Sequence, residues 1–234
     1  MRITLLAGFA GSFALSLASP AAADSRNFSV VSFDRVRIDG PYRVTLATGV
    51  APFASATGSP QALDGVAIDV QGRTLIVHAN PSSWGGYPGA GRGPVEISIG
   101  THELNAAWVN GSGSLAIDGV KGLSFDLSVQ GAGSASIGQV DVDQFRLGLA
   151  GAASAKLVGR APRLTAIVRG TSALDGSDLA VKDATVGADG PAIVKLAVSN
   201  SIKVDAMGTA TVSLAGSPAC TIKTTGSASV EGCR

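Results

Sequence analysis

The 234-residue chain is long enough for one large domain or two small ones, and its 45% hydrophobic residues exclude a disordered chain despite 31 glycines. Its 18 Lys+Arg against 17 Asp+Glu become 17 against 17 once Arg2 is set aside with the leader, which leaves no broad electrostatic footprint for nucleic acid or acidic lipid. Aromatics are only 5%, so small residues with regular Val, Leu and Ile point to many short strands joined by tight turns.

Residues 1–23 read as a secretory leader. Arg2 supplies the positive start, Ile3 to Ala18 is an uncharged apolar run, and Ala21-Ala22-Ala23 supplies small residues before a cleavage point at Asp24. The run is shorter than the roughly 20 residues of a spanning helix. The mature chain, 24–234, is therefore expected to be exported, periplasmic or at the cell surface, and without membrane insertion after cleavage.

Residues 24–103 are strand-rich but irregular. Val36 and Ile38 lead into Gly40, and Tyr42, Val44 and Leu46 follow, as in a divergent first rung. Val66, Ile68 and Val70 precede Gly72, then Leu75 and Val77 follow it. A Gly/Pro/Ser-rich stretch, Asn80 to Pro94, interrupts the pattern before Val95, Ile97 and Ile99 resume it. This region is expected to close one end of a stack, because a bare end invites edge pairing.

Residues 104–234 carry a repeat. A glycine followed by small residues and then an apolar one recurs at Gly111, Gly131, Gly151, Gly170, Gly190, Gly208 and Gly226, at spacings of 20, 20, 19, 20, 18 and 18. Around each glycine the residues alternate with period two, the mark of a strand with one buried face. Two places after it lie Gly113, Gly133, Ala153, Ser172, Ala192, Ala210 and Ala228, all small; four after it lie mainly Leu and Val. Each unit reads as strand, sharp glycine turn, strand and looser turn. One unit of 18–20 residues cannot bury enough apolar surface to offset its ordering, at about 1–2 kcal/mol per backbone residue, so the units must stack. The expected fold is all-β, a parallel β-solenoid of about seven regular glycine-punctuated rungs with a less regular N-terminal cap, in one domain and coiled right-handed as parallel crossovers usually are.

The segments FDRVRIDGPYRVTLATG (Phe33 to Gly49) and QALDGVAIDVQGRTLIV (Gln61 to Val77), with the repeated G-S-G and G-A-G strands, resemble the bacterial head GIN domain family of auto-transporter adhesins. The resemblance implies an all-β, repeat-built, extracytoplasmic protein and supplies no catalytic residues. No segment after the rungs is long enough for a membrane β-barrel, so a complete autotransporter is not expected.

Cys220 and Cys233 flank Gly226 at −6 and +7, which places them together at the open edge of the last rung. In an oxidising compartment they are expected to form a disulfide, with two unpaired thiols as the alternative. His78 and His102 show no ligand spacing to each other, and no metal or cofactor is expected. Asp141 and Asp143 share a strand face, and Asp175, Asp178 and Asp183 are read as a loop cluster. Carboxylates serve some polysaccharide-cleaving solenoids, but these are expected to be solvated turn residues with no basic partner and no recurrence in a column. Ser/Thr pairs such as Ser112/Ser114 and Thr209/Thr211 suggest a ladder for ordered water, which Pro191 and Ile193 break.

Trp84, Tyr87 and Arg92 stand in the Asn80–Pro94 stretch, where exposed aromatics with an arginine could grip a glycan or protein, or Trp84 could cap the stack. Trp108, three before Gly111, projects outward. These features favour a non-catalytic exported envelope or surface module that binds protein or glycan, as in adhesion. The alternative is a polysaccharide-active enzyme on a solenoid scaffold.

Overall fold

A computed structural model describes residues 24–82 and 93–234. The irregular part comprises β1 (Asp24–Phe28), β2 (Arg35–Asp39), β3 (Arg43–Thr48), β4 (Phe53–Gly58), α1 (Pro60–Asp64), β5 (Val66–Gln71), β6 (Thr74–Ala79), β7 (Glu96–Thr101) and β8 (Ala106–Gly111). The regular part comprises β9 (Ser114–Gly131), β10 (Ser134–Gly151), β11 (Ser154–Arg160), β12 (Arg163–Gly170), β13 (Ala173–Asp189), β14 (Ile193–Gly208), β15 (Thr211–Ala215), β16 (Ala219–Gly226) and β17 (Ser229–Glu231). Among the described residues all these strands belong to one wrapped sheet. It is a flattened parallel β-solenoid with two walls, one built of strands leading into the glycine corners and one of strands leaving them. Gly111 to Gly226 are the seven corners expected from the repeat, and six complete turns join them.

The corners explain the motif. Gly111, Gly131, Gly151, Gly170, Gly190, Gly208 and Gly226 all have φ between 75° and 104°, the left-handed region that other residues resist. They also stack on one another, so that a Cβ on Gly131 would lie 2.6 Å from the carbonyl oxygen of Gly111. The small residue two places on is crowded in the same way: a Cβ on Gly113 would lie 2.6 Å from the Gly40 carbonyl oxygen, and Ala192 and Ala210 are completely buried. Backbone hydrogen bonds step from corner to corner, Ala132 N to Gly111 O at 2.9 Å and Ala152 N to Gly131 O at 2.8 Å.

Register is held in columns. Leu115, Ala135, Ala155, Leu174, Val194, Val212 and Val230 pair in sequence down the wall that leaves the corners. On the other wall Phe125, Phe145, Leu164, Ala184, Ile202 and Cys220 do the same. Phe125 and Phe145 are fully buried and stack with ring centroids 5.5 Å apart. Removing such side chains from water, at about 1.5–3 kcal/mol each, offsets the ordering of each turn only because the neighbouring rungs supply the cover.

The N-terminal region joins the stack out of sequence order. Gly40 occupies the glycine column above Gly111, whose Cβ position lies 3.6 Å from the Gly40 Cα. The rung it heads is not the end of the stack, however. β2 lies between β6 and β8, and β3 between β7 and β9, all parallel. After β3 the chain crosses to build an outer rung from β6 and β7, then returns to the inner side of β2. Antiparallel strands finish this end: β4 on β7, β1 on β4, and β5 on β6 through a two-residue Gly72-Arg73 turn with Gly72 at φ 60°. Among the described residues the short helix α1 is the one departure from an all-strand reading. Ser59 caps it by accepting from Ala62 N at 3.2 Å, Pro60 opens it, and its Ala62 and Leu63 are buried.

A buried carboxylate fixes the crossing. Arg73, Asp34 and Asn105 each precede one of the three adjacent strands β6, β2 and β8. The Asp34 side chain is only 6% exposed, and its Oδ2 forms an ion pair with Arg73 Nη2 at 2.8 Å and accepts from Asn105 Nδ2 at 2.9 Å.

Candidate functional site

Trp84, Tyr87 and Arg92 lie outside the described residues. The strands on either side of them, β6 and β7, are described. Ala79 follows Val77, which pairs with Ile38, and Glu96 pairs with Arg43. Val77 and Glu96 thus stand beside Ile38 and Arg43, the residues on either side of the Gly40-Pro41-Tyr42 corner.

Glu96 leads directly onto the outer wall. Glu96, Arg43, Ser114, Ser134, Ser154, Ala173 and Ile193 form one outward column. From Ser114 to Ala173 the side chains are short, and they leave a trough of about 530 Å³. The larger Ile193 bounds it at one end. A second outward column, Lys156, Asp175 and Lys195, forms its charged rim. The sequence shows these residues only as small outward positions; the trough exists because four consecutive rungs keep them in register.

The acidic residues are not a loop cluster. β13 runs unbroken from Ala173 to Asp189, with register shifts at Gly176/Ala180 and Val181/Asp183 where the chain bends between walls. Gly176, Ser177 and Asp178 look like a turn in sequence, yet the bend stays in the ladder and carries Asp175 and Asp183 to opposite walls. Nor are the acids without basic neighbours. Asp141 Oδ1 accepts from Arg160 Nη2 at 2.8 Å, Asp126 pairs with Arg146 at 3.4 Å, and Asp175 is flanked in its column by Lys156 and Lys195. In-register stacking places residues one turn apart side by side, which a linear reading does not reveal.

Hydrogen bonds from the Ser201 hydroxyl and the Asn200 amide, both 2.6 Å, hold the Asp183 carboxyl below the usual aspartate range. Ser177 does the same for Asp175. Such carboxylates remain charged acceptors at neutral pH. His78 Nε2 is 2.9 Å from Asp69 Oδ2 across the β5–β6 hairpin, and Gly49 N donates to the His102 carbonyl, with the His102 side chain exposed. Trp108 is half-buried, between Arg37 and Ser128 in its ladder. Among the described residues no group of three or more His, Cys, Asp and Glu is placed to hold a metal ion, and no helix is long and apolar enough to cross a membrane.

Cys220 and Cys233 are bridged, with Cα atoms 5.8 Å apart, and tie the strand entering the last corner to the segment after β17.

These features define a capped parallel β-solenoid with a long, small-residue outer trough. The chain belongs to the family described as "Putative auto-transporter adhesin, head GIN domain", whose model matches residues 32–218. Among solved structures it is similar to a "putative adhesin" from Bacteroides fragilis NCTC 9343 at 15% identity and TM-score 0.77, covering 90% of this chain and 97% of that one. A "putative adhesin" from Parabacteroides distasonis ATCC 8503 matches at 16% identity and TM-score 0.70, covering 89% and 96%. A "Putative lipid binding protein" from the same strain matches at 18% identity and TM-score 0.66, covering 90% and 96%. At these identities the likeness is one of fold. No curated protein sequence matches the chain.

Proposed function

We propose that the protein is an exported, non-catalytic binding module of the cell envelope or surface. Its ligand, a protein or glycan, lies along the outer trough, with Trp84, Tyr87 and Arg92 of the 80–94 segment as contacts. The observation that carries this reading is the shared column. The base of the connection at Glu96 stands in line with Arg43 and with the Ser114–Ala173 floor, so an extended ligand can reach both without leaving one wall.

The family description and the leader-like sequence of residues 1–23 support export and adhesion as the setting. Asp141 is paired with Arg160, and Asp175 and Asp183 are hydrogen-bonded on opposite walls, which favours binding over turnover.

The test uses the mature protein and a variant in which residues 82–91 become a Gly-Ser linker. Both are applied to immobilised host-matrix proteins and bacterial and plant polysaccharides. Binding that is lost in the linker variant at unchanged melting temperature is the expected result. Retained binding would remove the connection from the site. Reducing ends released from any polysaccharide, and lost in Asp141→Asn or Asp175→Asn, would replace the binding reading with an enzymatic one.

A further inference from the structure

A glycine inside an exposed strand weakens it, so each such glycine calls for a reason. The corner glycines have theirs in positive φ and in the carbonyl packed against them. Gly187 has neither. It lies within β13 at an outward position, its backbone is ordinary, and a Cβ added to it would meet nothing within 4 Å. A strand glycine of this kind marks a place where a ligand or another backbone approaches closely.

The missing side chain leaves a hollow of about 170 Å³ on the wall opposite the trough. Along its own column Gly187 stands between Ile167 and Asp205, and the adjoining outward column carries Arg169, Asp189 and Met207. Ile167 and Met207 are 45% and 41% exposed, so the hollow has a backbone floor and two apolar sides. Its rim is polar: Arg169, Asp189 and Asp205 line it, and Asp205 Oδ2 lies 3.8 Å from Lys223 Nζ.

We propose that the Gly187 hollow is a subsite for one sugar ring of a glycan. The inference rests on the binding-module reading and adds a ligand class and a second surface to it. The volume suits a single ring, since a dry cavity of about 150 Å³ is known to take benzene. A pyranose offers an apolar C–H face to Ile167 and Met207. Its hydroxyls both donate and accept, which serves Asp205 and Asp189 as acceptors and Arg169 as donor. An acyl chain would bury those charges without partners. A simple cation would gain nothing from the apolar sides. Gly148 repeats the arrangement on the other side of Ile167, with only the Ser128 hydroxyl oxygen, at 3.7 Å, near its Cβ position. Two openings flanking one exposed isoleucine suit neighbouring rings of one extended chain.

The test titrates the ¹⁵N-labelled mature protein with cellohexaose, chitohexaose and mannohexaose. The expected result is that at least one of them shifts the amides of Ile167, Gly187, Asp205 and Met207. Gly187→Val fills the hollow with a good strand former. It should melt at or above the parent temperature while weakening that saccharide at least tenfold. Gly187→Ala should weaken it less, and Thr185→Val, in the next outward column, should leave it unchanged. Should Gly187→Val fail to fold, the amide map and the alanine variant still decide. Equal affinity in both Gly187 variants, or no saccharide shifting these amides, would overturn the inference. Saccharide shifts confined to the Ser114–Ala173 trough, or loop-dependent capture of a protein alone, would overturn it while leaving the binding-module reading intact.

Discussion

The regular rungs and the N-terminal region build the same two walls by different means. From Gly111 onward each turn stacks on the previous one, so sequence order is spatial order and the repeat itself sets the register. Before Gly111 the order is broken, since the rung at 35–48 sits between 74–101 and the turn that starts at 106. A repeat can rely on identical neighbours. A cap has a different neighbour on each side and needs specific devices: antiparallel edge strands, a capped helix and the Asp34 clamp. The far end shows what the core meets without them. Ile222 is 43% exposed in the last rung, whereas Val204, its partner one turn in, is buried.

The sharpest way to break the comparison is inside the repeat. Val212→Asp puts an unpaired charge into a fully buried column and should cost roughly 3–5 kcal/mol, whereas Ser213→Asp next door should change stability by less than about 0.5 kcal/mol. Denaturant melts of the two variants check it, and equal losses would mean the alternation is misassigned. In the last rung, Cys220→Ser with Cys233→Ser should cost about 3 kcal/mol on the chain-entropy account, with hydrogen exchange rising first in β16 and β17. In the cap, Asp34→Ala removes the acceptor shared by Arg73 and Asn105 and should cost about 2 kcal/mol. Amides of β2, β6 and β8 should then exchange faster, with β12 to β14 unchanged.

The smallest effect is the acid limb. Asp183 and Asp175 are held below the ordinary aspartate range, so their contributions are full above about pH 4, where the unfolded carboxyl titrates. They are lost as pH falls through the lower folded values. Asp183→Asn should flatten that limb only slightly in melts between pH 5 and 2, because both groups are partly exposed and solvent screens them. A steeper limb in the variant would reverse the sign.

The repeat was legible because geometry marks every corner twice, through positive φ and through the space denied to a Cβ at Gly131 or Gly113. The Cys220–Cys233 bridge was legible for a related reason, as positions −6 and +7 about a corner must meet. The insertion of β2 between β6 and β8 was not, since partners 39 and 71 residues away leave no local pattern. The bend at Gly176–Asp178 was misread because its composition is that of a turn while its backbone stays in the ladder. The trough and the Gly187 hollow are marked by side chains that are absent or small, a signal lost in a chain with 31 glycines. Trp84, Tyr87 and Arg92 remain a proposal tied to the position of their flanking strands.

The central claim is the spatial order of the rungs, because the shared column from Glu96 through Arg43 to the trough depends on it. Paired cysteines at outward positions 43, 96 and 114 measure it directly, read by non-reducing peptide mapping that separates any new bridge from Cys220–Cys233. Adjacent strands lie about 4.7–4.9 Å apart, within disulfide reach, and strands two rungs apart do not. The account predicts bridges for Arg43→Cys with Glu96→Cys and for Arg43→Cys with Ser114→Cys, and none for Glu96→Cys with Ser114→Cys. A bridge between 96 and 114 with none between 43 and 114 would place the rungs in sequence order and contradict it.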